Sequence, residues 1–166
     1  MSKTKALNRE TDVEADSSTA DMAKKLFDVV RIIDVSMTDC HACLRCDVSD
    51  PLLLSIHRVA KGSRSPDRRK ACAQIRFRLE GRPEESDKKD ADLFIEATFN
   101  AIYEVPEDLK TNGDALDFFA QANGTYNLWP YWREFVQTTS ARMGLQGLTV
   151  PTYRIQEAFS GPGSAD

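Results

Sequence analysis

The stretch Ala71-Cys72-Ala73-Gln74-Ile75-Arg76-Phe77-Arg78-Leu79-Glu80 decides the fold class. Every second residue from Ala71 to Leu79 is apolar, and those between them are Cys, Gln, Arg, Arg and Glu. Successive side chains of a strand point to opposite faces, so one face of this strand lies on a core and the other meets water. Leu93, Ile95, Ala97 and Phe99 repeat the pattern against Phe94, Glu96, Thr98 and Asn100. Such alternation belongs to an antiparallel sheet with a single covered face. The connections agree. Lys61 to Asp67 and Gly81 to Asp87 are dense in turn residues and carry no helical pattern, whereas parallel strands need a long crossover.

Working outward, Val29 to Leu44 reads as the first strand, with Ile33, Val35 and Met37 at a period of two. Pro51 opens the second, which runs through Leu54 and Ile56 to Val59. After Pro106 the period lengthens. Asp114 is expected to cap a helix carrying Leu116, Phe119 and Ala120, and Gly124 to interrupt it. A longer helix is expected from Asn127, as its cap, to Met143. Pro130 then falls in the first turn, and Leu128, Trp132, Phe135, Thr139 and Met143 lie on one side. Gly144 ends it, and residues 152–159 add a last helical turn or two. The fold class is α+β: a four-stranded antiparallel sheet followed by two main helices packed on one face. One domain over residues 22–159 is flanked by polar tails at 1–21 and 160–166.

Composition excludes several functions. The chain has 166 residues and a formal net charge of -4, which argues against a dedicated nucleic-acid binder. Its longest run of large aliphatics is Leu52-Leu53-Leu54, far short of a membrane span, and its first residues contain no apolar signal core. A cytoplasmic protein is expected. Six basic residues and one acid lie between Arg58 and Lys70 without aromatics to stack bases, which suits a solvated hairpin loop. His41 and His57 have no Ser or Asp partner at a recognisable spacing, and there is no Gly-rich phosphate loop, so no enzyme is expected.

Cys40-His41-Ala42-Cys43-Leu44-Arg45-Cys46 leaves a metal-binding protein as an alternative, with Cys72 or His41 as the fourth ligand. On a strand Cys40 and Cys46 share a face while Cys43 points the other way. Small structural thiols without a cofactor are therefore the expectation.

Leu128-Trp129-Pro130-Tyr131-Trp132-Arg133-Glu134 resembles the Leu-Phe-Pro-Tyr-Ala-Arg-Glu stretch that opens the long helix of the SecB export chaperones. Leu128, Pro130, Tyr131, Arg133 and Glu134 match, while Trp129 replaces Phe and Trp132 replaces Ala. Arg142-Met143-Gly144-Leu145 and Leu148-Thr149-Val150-Pro151 are similar to the family's helix end and the extended segment after it. Asn100 to Val105 is similar to the end of its fourth strand.

The resemblance implies an ATP-independent, cofactor-free holdase for unfolded polypeptides, assembled as a homo-oligomeric dimer of dimers. It implies export with handover to the SecA motor or, as in relatives from toxin–antitoxin systems, service to one partner such as an antitoxin. It also implies an apolar client groove lined by Leu52, Leu54, Ile56, Leu128, Trp132, Leu145 and Leu148, with Leu53 competing for the groove face of the second strand, where a one-residue slip swaps faces. Arg76 and Arg78, on the polar side of the third strand, set the chain apart from export members, whose acidic sheet surface docks the motor.

Overall fold

The computed structural model describes residues 19, 21–45, 52–83, 91–145 and 148–153. The expected tails, apart from Thr19 and Asp21, lie outside these residues, as do Cys46, Pro51 and most of the stretch 152–159.

Four strands, β1 (Arg31–Leu44), β2 (Leu52–Arg64), β3 (Lys70–Pro83) and β4 (Leu93–Glu104), form one antiparallel sheet in the order β1-β4-β3-β2. The α+β architecture read from the sequence is the one observed, with the helices on one face. In the two central strands the alternation is complete. Ala71, Ala73, Ile75, Phe77 and Leu79 are buried, as are Leu93, Ile95, Ala97, Phe99, Ala101 and Tyr103. The edge strand β1 is less regular, with register shifts between Ile32 and Asp34 and between Met37 and Asp39. The expected Ile33, Val35, Met37 period therefore fails at its first member. The extra residue of a bulge moves Ile32, not Ile33, opposite the buried Tyr103.

A helix over residues 21–29, α1, occupies a stretch to which the sequence reading assigned no element, and β1 starts at Arg31, two residues after the expected Val29. Ala23 and Leu26 are fully buried, and Phe27 packs its ring 5.5 Å from Phe119 and 6.5 Å from Phe118. Ala23, Leu26 and Phe27 have helical spacing and turn one apolar side of α1 onto the core. Thr19 is already engaged, accepting a hydrogen bond from Asn112 at 3.3 Å.

Helix α2 (Gly113–Phe119) is capped by Asn112, not Asp114. The Asn112 side chain accepts the Ala115 amide at 2.8 Å, and Asp114 occupies the first turn. No break follows. A π-helical turn (Ala120–Gly124) leads directly into α3 (Thr125–Arg142), all in right-handed helical geometry. Gly124 is needed for clearance instead: a Cβ there would lie 2.6 Å from the Cβ of Ala73 on β3. Asn127 consequently lies inside the helix, where its amide donates to the Tyr103 hydroxyl at 3.0 Å. Pro130 lies in the second turn of α3, not the first. The C-terminus follows expectation. Gly144 has φ 83°, and Leu145 N–H reaches back to Ser140 O at 2.9 Å, closing a Schellman motif.

Phe77 is the centre of the core. Trp132 stacks on it at 5.4 Å and 14°, while Trp129 meets it edge-on at 5.6 Å. Full burial of such side chains contributes about 2 to 3 kcal/mol each. Residues 148–153 then run as an extended strap over α3. Trp129 Nε1 donates to Pro151 O at 2.8 Å, and Arg133 Nε donates to Val150 O at 2.8 Å.

Candidate functional site

β2 is an edge strand, and its pairing with β3 is regular from Leu52↔Pro83 to Arg64↔Ala71. That register places Leu52, Leu54, Ile56 and Arg58 on the helix-side face, opposite Pro83, Gly81, Leu79 and Phe77. Leu53, Ser55, His57 and Val59 face the other way. The expected trio Leu52, Leu54, Ile56 is thus one continuous line. Leu54 is 46% exposed, with its Cδ2 close to where a Gly81 Cβ would stand, and Leu52 and Ile56 are half-buried.

The backbone of this edge is oriented by the same alternation. Gly62 donates its amide to Asp117 Oδ1 of α2 at 2.8 Å, so that N–H points away from β3. In an antiparallel ladder alternate residues point both backbone groups the same way. Leu54, Ile56, Arg58 and Ala60 therefore direct N–H and C=O outward, and Asp117 closes the edge at Gly62. Among the described residues β2 pairs on one side only. The result is a shelf of unpaired backbone beside three aliphatic side chains.

The strap closes the shelf at Arg58. The Arg58 guanidinium lies 5.3 Å from the Tyr153 ring centre, and Tyr153 lies 5.1 Å from Trp129. Leu145 and Leu148 are half-buried against the core. Leu128 and Trp132 are not part of any surface: both have 0% exposure, and as they stand no ligand can touch them. They face the sheet, as their helical spacing implies, Trp132 stacked on Phe77, while the strap lies against Trp129 and Arg133. Of the motif residues, Trp129 and Arg133 hold the strap, Pro130 and Tyr131 are exposed, and Glu134 accepts the Thr138 hydroxyl at 2.8 Å. Sequence reasoning missed Arg58 and Tyr153. The signal for Arg58 was present, since it continues the period-two line begun by Leu52.

The opposite face of the sheet is open and of mixed charge. Arg78 donates to Glu80 at 2.6 Å and Glu96 at 3.4 Å, and Arg82 bridges Glu80 at 3.2 Å. The hydrogen bond from Arg78 is the main cause holding the Glu80 carboxyl below its ordinary pKa, and the same contact raises Arg78. Arg78 is therefore neutralised locally. A second apolar surface follows the β1 edge, where Val29, Ile32, Ile33 and Met37 are exposed.

The cysteines do not converge. Cys40 is paired with Ala97 on the helix-side face, whereas Cys43 is paired with Phe94 on the open face. Cys72 lies beside Ile102, eight residues along β4 from Phe94 and so roughly 26 Å away. A four-thiolate site that includes Cys43 and Cys72 is ruled out by this register. Among the described residues no group of three or more His, Cys, Asp or Glu is placed to hold a metal ion. Burial pushes the Cys72 thiol pKa up, and burial likewise raises Tyr103, opposed by its bond from Asn127. Among the described residues no helix is long and apolar enough to cross a membrane.

No family model matches the sequence, and no curated protein matches it. The fold does match. The Mycobacterium tuberculosis SecB-like chaperone Rv1957, solved in complex with a ChAD peptide from the HigA1 antitoxin, superposes with a TM-score of 0.70. The match covers 80% of this chain and 96% of that one at 17% identity. The chain thus has the fold of a SecB-like chaperone.

Proposed function

We propose that the chain is a non-enzymatic, ATP-independent chaperone that holds non-native polypeptide segments in extended form along the β2 edge. The observation that carries this reading is the shelf itself, where N–H and C=O groups of Leu54, Ile56 and Arg58, without a strand partner among the described residues, adjoin exposed and half-exposed aliphatics. An unfolded client lacks both backbone partners and apolar cover, and an extended peptide laid on a sheet edge gains both at once. A single segment gains little after the cost of ordering it, so affinity grows with several shelves on one assembly. The apolar β1 edge, with Ile32, Ile33 and Met37, supports assembly of the chain into a homo-oligomer, a dimer of dimers in the form proposed. Action in the cytoplasm without a cofactor belongs to the same proposal.

The test is light scattering of an unrelated, chemically unfolded protein diluted into buffer with this chain at stoichiometric excess. Suppressed aggregation, weakened by Leu54→Ser, is expected; unchanged aggregation defeats the proposal.

A second reading is a chaperone dedicated to one partner. It is favoured by the antitoxin peptide bound to the structural neighbour and by the mixed charge of the open sheet face, which offers no uniformly acidic surface for an export motor. Co-purification of one protein, with no effect on unrelated clients, selects this reading over general export.

A further inference from the structure

The line of side chains on β2 leads to a charge that no ion pair among the described residues engages. Arg58 sits two residues beyond Ile56 on the same face, across from Phe77. The described ion pairs engage Arg31, Arg69, Arg78 and Arg82, and none engages Arg58. Both Arg58 and Arg78 lie over aromatic rings, Arg58 Cζ 5.3 Å from the centre of Tyr153 and Arg78 Cζ 5.0 Å from that of Phe94, but only Arg78 is also held between two carboxylates, Glu80 and Glu96. A guanidinium stacked on a ring is fixed in plane and keeps its N–H edge for another ligand. A carboxylate fits that edge, because a planar fork of donors matches two oxygens at once.

The register states where the carboxylate must be. Arg58, Ile56 and Leu54 all point backbone groups outward, so a strand added there places one residue opposite each, with Cβ atoms about 5 Å apart. A client residue opposite Arg58 is then followed, two and four positions along, by residues opposite Ile56 and Leu54.

We propose that the shelf selects extended segments of one chemistry: an Asp or Glu spaced two and four residues from a pair of apolar side chains. This inference rests on the polypeptide-binding reading and adds to it a charge preference fixed by Arg58.

The experiment uses the full chain and three short fluorescent peptides that alternate Leu or Phe with Ser and differ only in carrying Asp, Asn or Lys at the terminal alternating position. Anisotropy titration at low salt is expected to rank Asp above Asn above Lys, with Asp over Lys by about fivefold, and added salt compresses that ratio. Arg58→Gln is expected to abolish the ranking and Arg58→Glu to reverse it. Because Arg58 is exposed, both variants are expected to fold, which circular dichroism checks. Equal affinity for the Asp and Lys peptides, or a ranking unchanged in Arg58→Gln, overturns the charge preference and leaves the polypeptide-binding reading standing. Failure of all three peptides to bind overturns both.

Discussion

Gly62 on β2 and Asp117 on α2 are joined by a 2.8 Å hydrogen bond from the glycine amide to the carboxylate. The Leu116 carbonyl is so close that a Cβ on Gly62 would stand 2.0 Å from its oxygen. The contact fixes the helix against the edge strand and ends the unpaired stretch of backbone.

Gly62→Ala is accordingly expected to destabilise the protein by about 2 to 3 kcal/mol, because backbone must move to admit the methyl group. Asp117→Ala removes only the acceptor and is expected to cost about 1 kcal/mol. Urea denaturation separates the two, and equal midpoints for Gly62→Ala and wild type would refute the close approach.

Leu54 and Trp132 share a place in the family-derived groove but not in the structure. Trp132→Ala empties a stacked core position and is expected to cost about 3 to 5 kcal/mol of stability. Leu54→Ser is expected to change stability by less than about 1 kcal/mol while weakening client binding roughly fivefold. Thermal melts beside peptide titrations check both. A Leu54→Ser protein that binds like wild type argues against the shelf.

Acid is expected to weaken the fold through Asp67 and Glu80. The Ser65 hydroxyl, then the Arg69 amide, hold the Asp67 carboxylate below its ordinary pKa, and Arg78 does the same for Glu80. A carboxyl depressed in the folded state contributes stability that is complete above its unfolded value, about pH 4, and is lost as pH falls through the folded value. Urea midpoints are expected to be flat from neutral pH to about 5 and to drop below about 4. Asp67→Asn and Glu80→Gln each lower the neutral midpoint and flatten the acid slope.

Thiol reactivity is expected to follow burial. Cys40 is exposed, whereas desolvation raises the Cys72 pKa and reduces its thiolate. Timed iodoacetamide labelling at mildly alkaline pH, read by peptide mass spectrometry, is expected to modify Cys40 well before Cys72. The reverse order would contradict the burial of Cys72.

The central strands were legible because a period of two and a covered face are the same fact seen in sequence and in space. Ala71 to Leu79 and Leu93 to Phe99 needed no tertiary information. The same local logic missed α1, whose helix is held by Phe27 packing against Phe118 and Phe119, and set the start of β1 two residues early at Val29. It also read Asn127 as a cap and Gly124 as a break. Both are polar or small residues that local rules assign to helix ends, while here Tyr103 and Ala73 gave them partners across the core.

The sequence by itself determined the α+β class and the two faces of the central strands, because both follow from the spacing of apolar residues along one element; the run Leu52-Leu53-Leu54 left the face of β2 open until pairing with β3 assigned it. Only the tertiary structure decided which apolar residues are reachable and which charges are spent. The sheet face against which Leu128 and Trp132 lose their exposed surface and the ring that holds Arg58 come from segments distant in the chain, and depth and pairing depend on what arrives from elsewhere.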